Sequence, residues 1–232
     1  MEELVQAFAE GQMSRRVFIR RAVATGATLT GAAMFADLIL ANPAQAMTQY
    51  EYVFDYSFSP DPLRLDYPDD YVYWQWNGAS GHSVTDTSGL NIFDSSPVLN
   101  PTPPPVYNWV TDFGFGFWAA GRYEYECKDT SHVPMNGVIL SPVLVQKTNA
   151  RSTAMVQWGN RDLSNDPFHP NLRYDVQVKK PGQQWATWRD GVGGFTATYR
   201  TRKEGRHYFR GRLRNINTQV ALGWSPRSSF NA

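Results

Sequence analysis

"GRYEYECKDTSHVPMNGVI", residues 121–139, holds the single cysteine of a 232-residue chain. Tyr123, Tyr125 and Cys127 alternate with Arg122, Glu124 and Glu126, and a period of two is the signature of a strand with one face in the core. Cys127 therefore ends a strand pointing inward. After a turn, "NGVILSP" resumes an apolar strand. Cys127, His132 and Met135 share the connecting loop, so a tight turn can bring the three side chains together. A lone cysteine cannot close an intramolecular disulfide, which leaves an inert core residue, an intermolecular link, a nucleophile or a metal ligand.

The company of this thiol favours the metal. A thiolate and an imidazole with a weak thioether select a soft ion, and two histidines, a cysteine and a long axial methionine suit copper electron transfer. A second histidine is then required. His82, in "GASGHSV", follows a second alternating strand, "DDYVYWQWNG", in which Val72, Trp74 and Trp76 share one face. Each residue has an ordinary reading as well: a small buried hydrophobe, a satisfied polar group, a core methionine. Their joint placement on a strand-loop-strand frame is what the ordinary readings leave unexplained.

Around this frame the composition reads as all-β. The chain has 42% hydrophobic and 14% aromatic residues with 18 Gly and 15 Pro, and no long helical periodicity follows residue 47. Residues 47–143 carry twelve Asp/Glu against three Lys/Arg, whereas residues 144–232 carry fifteen Lys/Arg against five acids. A near-neutral whole thus conceals an acidic and a basic half, and two domains are expected with a boundary near Pro142. The Pro-rich "SSPVLNPTPPPVYN" reads as an exposed loop or edge segment. All four candidate ligands precede the boundary, so residues 47–143 are expected to fold and bind metal alone; if opposite charges hold the two halves together, that contact should weaken as salt is raised.

At the N-terminus, "SRRVFIRRA" sets Arg15 and Arg16 ahead of Phe18, an apolar stretch follows, and "NPAQA" supplies Ala44 and Ala46. This resembles a twin-arginine export signal over residues 1–46 with a small-residue cleavage site. Asp37 within the apolar stretch argues against a permanent membrane span. The expected location is outside the cytoplasmic membrane, periplasmic or extracellular.

Residues 50–143 resemble the cupredoxins, small blue copper proteins of the plastocyanin and amicyanin type. The likeness rests on "FSPDPLRL", "PDDYVYWQW", "GHSV" and the 121–139 loop with its "MNGVI" exit. It implies a Greek-key β-sandwich that binds one type 1 copper through His82, Cys127, His132 and Met135. It further implies a carrier of single electrons between redox protein partners, not an enzyme. Cys127 to His132 is longer than in plastocyanin or amicyanin, and His132 to Met135 is shorter than in plastocyanin. Electrons are expected to leave by an exposed His132 edge beside Val133 and Pro134, with Ser83 and Thr130 as candidate donors to the sulfur.

The basic half shows evenly spaced strands: "STAMVQWGN", "LRYDVQVKK", "QQWATWRDG", "FTATYRT", "HYFRGRLRN" and "WSPRSSF". It resembles a fibronectin type III domain over residues 144–232, with Trp158, Tyr174 and a corner Tyr208 as its marks. "RGRLR" puts Arg210, Arg212 and Arg214 on one face, either solvated or a site for an anionic polymer, lipid headgroups or the acidic half. Nucleic acid is not an expected partner. His169 and His207 are isolated and read as surface or packing residues. Four histidines in all cannot build the extra centres of a multicopper oxidase. Two alternatives stay open: a copper-delivery protein with similar ligands, and an adhesion or carbohydrate-binding protein using Trp185 and Trp188 as stacking surface.

Overall fold

The computed structural model describes residues 47–95 and 113–232. The stretch that resembles an export signal, with Arg15, Arg16, Phe18, Ala44 and Ala46, lies outside the described residues, as does nearly all of the Pro-rich stretch. Among the described residues there is no α-helix, and none long and apolar enough to cross a membrane.

The first half builds two mixed four-stranded sheets. One orders β2-β1-β4-β6, from β1 (Thr48–Phe54), β2 (Ser57–Ser59), β4 (Tyr71–Trp76) and β6 (Phe113–Gly116). The other orders β3-β8-β7-β5, from β3 (Leu63–Arg64), β5 (Thr85–Asp86), β7 (Gly121–Glu126) and β8 (Asn136–Ser141). β1 runs parallel to β4 and β3 parallel to β8. Alternation places the core as expected: Val72, Trp74 and Trp76 are buried from one sheet, Tyr123, Tyr125 and Cys127 from the other. Phe58 and Trp74 meet Tyr125 across the gap, with ring centroids 4.8 and 5.7 Å away. "FSPDPLRL" forms two short strands, because its prolines cannot donate to a ladder.

The second half pairs a three-stranded sheet, β13-β10-β9, with a four-stranded one, β12-β11-β14-β15. Their strands are β9 (Leu144–Lys147), β10 (Thr153–Gln157), β11 (Leu172–Lys179), β12 (Trp185–Val192), β13 (Thr196–Arg200), β14 (Arg206–Asn215) and β15 (Ser228–Asn231). Trp158 and Tyr174 are buried as expected. Tyr208 is not a buried corner: it lies half-buried with the Arg227 guanidinium 5.1 Å from its ring. His207 is the buried neighbour, held by the Tyr199 hydroxyl at 3.1 Å and the Lys203 carbonyl at 2.9 Å.

The halves are joined by backbone and apolar contact. The Ala120 N–H donates to Trp158 O (2.9 Å), Asn160 N–H to Trp118 O (3.0 Å) and Arg122 N–H to Gly223 O (3.0 Å). Trp118, Ala119, Ala120, Val143 and Leu222 are buried in one continuous core, and residues 46–232 form one compact unit. The contact between the halves is therefore built from apolar side chains and backbone amides. A cut at 143 would strip those side chains and leave buried amides without partners, each costing about 1–3 kcal/mol. Polar side chains also meet across the junction: Asn160 bonds Asp69, and the Arg161 guanidinium lies 4.8 Å from the Trp118 ring.

Candidate metal centre

The pairing of β5 with β7, Thr85 opposite Glu126, brings the His82-Ser83 segment alongside Cys127-Lys128. Ser83 ties the two together, its N–H donating to Cys127 Sγ at 3.4 Å and its Oγ accepting from Lys128 N–H at 2.8 Å. On the other side, Cys127 N–H donates to Met135 O at 3.0 Å, continuing the β7-β8 ladder past Glu126 opposite Asn136. Residues directly opposite in an antiparallel pair share a face. Met135 and Cys127 are accordingly both buried on the core side.

His132 is delivered by a single 3-10 turn, Thr130–His132. Asp129 caps it: Oδ1 accepts from Ser131 N–H (2.9 Å) and Ser131 Oγ (2.6 Å), and the Asp129 carbonyl accepts from His132 N–H (3.0 Å). These Ser131 bonds hold the Asp129 carboxyl below the usual range. Asp129→Ala should free the turn and lower metal affinity roughly 10-fold in chelator competition. Asp129→Asn, which keeps the acceptor, should restore most of it.

The three donors converge. His82 Nδ1 is 3.8 Å and His132 Nδ1 3.7 Å from Cys127 Sγ, and the ring centroids lie 4.5 Å apart. The three ligand atoms lie within 4.8 Å of one another, and all three residues are buried. Bonds of about 2.0–2.3 Å to a shared ion, opening at roughly 120°, would separate nitrogen from sulfur by about 3.7 Å. The spacing fits.

The outer nitrogen of His82 fits too. With Nδ1 on an ion, Nε2 would carry the proton, and this buried atom completes no hydrogen bond. It lies 3.6 Å from Asp55 Oδ1, just beyond bonding distance, in the arrangement by which a carboxylate orients a ligating imidazole. Gly78 permits the approach: a Cβ there would overlap Asp55 Oδ1 and come within 3.0 Å of His82 Nε2. Burial, then the neighbouring His132, holds His82 below the ordinary histidine range, with Asp55 opposing. A neutral imidazole is the form that ligates.

The structure thus gathers His82, Cys127 and His132, and sets Met135 opposite Cys127 on the same face. His132 does not present an exposed edge: it is 5% exposed, and Tyr56 lies edge-on to it at 5.4 Å. Ser83 serves the sulfur through its backbone N–H, while Thr130 opens the 3-10 turn. Sequence reasoning missed Asp55 and Asp129. For Asp129 the signal was available, since Asp two residues before Ser is an Asx-turn pattern; for Asp55 none was. In the second half, Trp188 packs inward against Trp158, Tyr199 and Phe209, with centroids 5.3–5.7 Å away. The β11-β12 register shifts beside it, and Trp188 does not share a stacking surface with Trp185. Arg212 and Arg214 pair with Asp175 of their own sheet at 3.2 and 2.8 Å, and Arg210 donates to Gln177.

No protein-family model matches the chain, and no curated protein matches it. Among solved structures it is similar to a novel purple cupredoxin from Nitrosopumilus maritimus, at 20% identity over 39% of this chain and 95% of that one, TM-score 0.31. It is also similar to the fibronectin type-III domain of human fibronectin type III domain containing protein 3, at 16% identity over 40% of this chain and 83% of that one, TM-score 0.30. A third likeness is an Fn3-like protein from Clostridium thermocellum, at 16% identity over 38% and 86%, TM-score 0.27.

Proposed function

We propose that this chain is an exported, single-copper electron carrier whose N-terminal sandwich, residues 47–143, holds the metal and whose C-terminal sandwich, residues 144–232, serves interaction. The observation that carries the reading is the buried convergence of His82 Nδ1, His132 Nδ1 and Cys127 Sγ at 3.7–3.8 Å. Two imidazoles and one thiolate with a thioether alongside are the donor set of a copper electron-transfer site. Copper bound there supplies a one-electron couple.

The protein's part is to hold, shield and orient. Cys127 is fixed at a strand end, and the Ser83 N–H donates to its sulfur. The Asp129-capped turn fixes His132, and Asp55 stands behind His82. His207 spends both nitrogens on Tyr199 and Lys203, and His169 meets Asp166 at 3.2 Å; among the described residues the metal-type cluster of His, Cys, Asp and Glu is His82, Cys127 and His132. Val133 and Tyr56, each 72% exposed, form the surface over His132 where a redox partner would dock. Burial of all three donors favours a retained ion over a delivered one.

The copper(II)-loaded chain should show an intense visible thiolate charge-transfer band that bleaches with ascorbate and returns on oxidation. Met135→Gln should keep the colour and lower the reduction potential, since an oxygen donor favours copper(II) over copper(I) more than a thioether does. A loaded protein without the band would defeat the electron-carrier reading.

A further inference from the structure

We propose that the outer face of the β12-β11-β14-β15 sheet carries a binding site for an acidic saccharide, a uronic acid residue of an extracellular polysaccharide, built from Lys179, Trp185, Tyr208, Arg210 and Arg227. The register assembles it. Lys179 lies opposite Trp185 on one side and Tyr208 on the other, and Arg210, opposite Gln177, continues the same face two residues along β14. These residues with Ser225 line an open cavity of about 380 Å³, the scale of a small-ligand site.

Charge divides this face into two ends. At one end Asp175 accepts from Arg212 and Arg214, and Asp190 from Arg214 at 2.8 Å, so those arginines are compensated. At the other, the cavity is lined by three cations and no acid. Among the described residues, Lys179, Arg210 and Arg227 have no carboxylate partner. Positive charge concentrated in a concavity attracts an anion.

The cations are also held in place. Arg210 lies 4.4 Å from the Trp185 centroid and 4.8 Å from that of Trp224, with Gln177 Oε1 accepting from its Nε and Nη2 at 2.9 and 2.7 Å. Arg212 follows at 4.4 Å on Trp224, so rings and guanidinium groups alternate up the sheet. A guanidinium stacked in this way keeps edge N–H groups for a carboxylate and loses little freedom on binding it.

The aromatic walls choose the ligand. Trp185 and Tyr208 border the cavity beside the cations, suited to a ring with apolar C–H faces that carries a carboxylate. None of the exposed large hydrophobic residues lines it, so it lacks an aliphatic surface for a lipid chain. An acidic sugar satisfies both walls and charge.

The test uses the full chain with polygalacturonate, at 0.15 M salt, beside neutral dextran, polyglutamate and anionic phospholipid vesicles. Binding should be measurable for polygalacturonate and at least tenfold weaker for the other three. Lys179→Met with Arg227→Ala, both surface changes, should weaken it at least tenfold. Trp185→Ala, which removes no charge, should weaken it severalfold. Arg173→Ala, removing a cation outside the cavity, should stay within twofold, with unchanged thermal unfolding as the check on each fold. Equal binding to polyglutamate or to vesicles, an indifferent Trp185→Ala, or an Arg173→Ala loss matching the double variant would each overturn the saccharide site.

Discussion

Cys127→Ser is expected to leave the sandwich folded while removing the visible copper(II) band completely. The side chain is 5% exposed and accepts from the Ser83 N–H, and a serine oxygen can take over that bond in nearly the same volume. The fold therefore loses on the order of 1 kcal/mol. The metal loses far more, because a hydroxyl does not ionise near neutral pH as a thiol can beside a metal. Copper(I) affinity should fall by several orders of magnitude. His132→Gly is the contrasting case: the thiolate stays, and added imidazole should restore colour through the space left beneath Tyr56. A band that survived in Cys127→Ser would place the chromophore elsewhere.

What the sequence revealed about this site, and what it hid, follows from the range of the interactions. Val72/Trp74/Trp76 and Tyr123/Tyr125/Cys127 are local alternations, and each names its own buried face. The candidate donors were nameable for the same reason, three of them within one loop. That His82 meets Cys127 depends on β5 pairing with β7, a contact between residues 45 apart that no local period encodes. The junction is the clearest loss. The contrast between acidic and basic halves left open whether charge holds them together; the structure joins them through the apolar run at Trp118, Ala119 and Ala120 and through backbone amides. Net charge describes solubility and attraction, not which backbone groups pair. Trp188 was misplaced by a register shift, and Asp55 by its being an ordinary exposed-type residue until His82 is brought to it.

β1 reverses the usual alternation, and its consequence is a steep pH dependence of stability. Tyr50, Tyr52 and Phe54 point outward at 40–52% exposure, while Glu51 points into the core at 0%. Neither carboxyl oxygen finds a hydrogen bond, and the Tyr125 hydroxyl and Trp74 indole N–H nearby also lack partners. Burial therefore pushes the Glu51 carboxyl up to about 8, with Asp61 adding to it and Tyr125 and Trp74 opposing. In the unfolded chain the same group titrates near 4.5. Between these values the folded state holds a proton that the unfolded state has released, so stability is full below about pH 4.5 and is lost as pH rises toward 8. Each pH unit in that window costs about 1.4 kcal/mol, and about 5 kcal/mol is gone above it. Glu51→Gln mimics the protonated carboxyl and cannot ionise. At pH 8.5 it should raise the midpoint of thermal unfolding by roughly 10 °C, and at pH 5 it should change little. Parallel pH profiles for the two proteins would show that the Glu51 carboxyl is ionised within the fold, satisfied by Tyr125 and Trp74 after all.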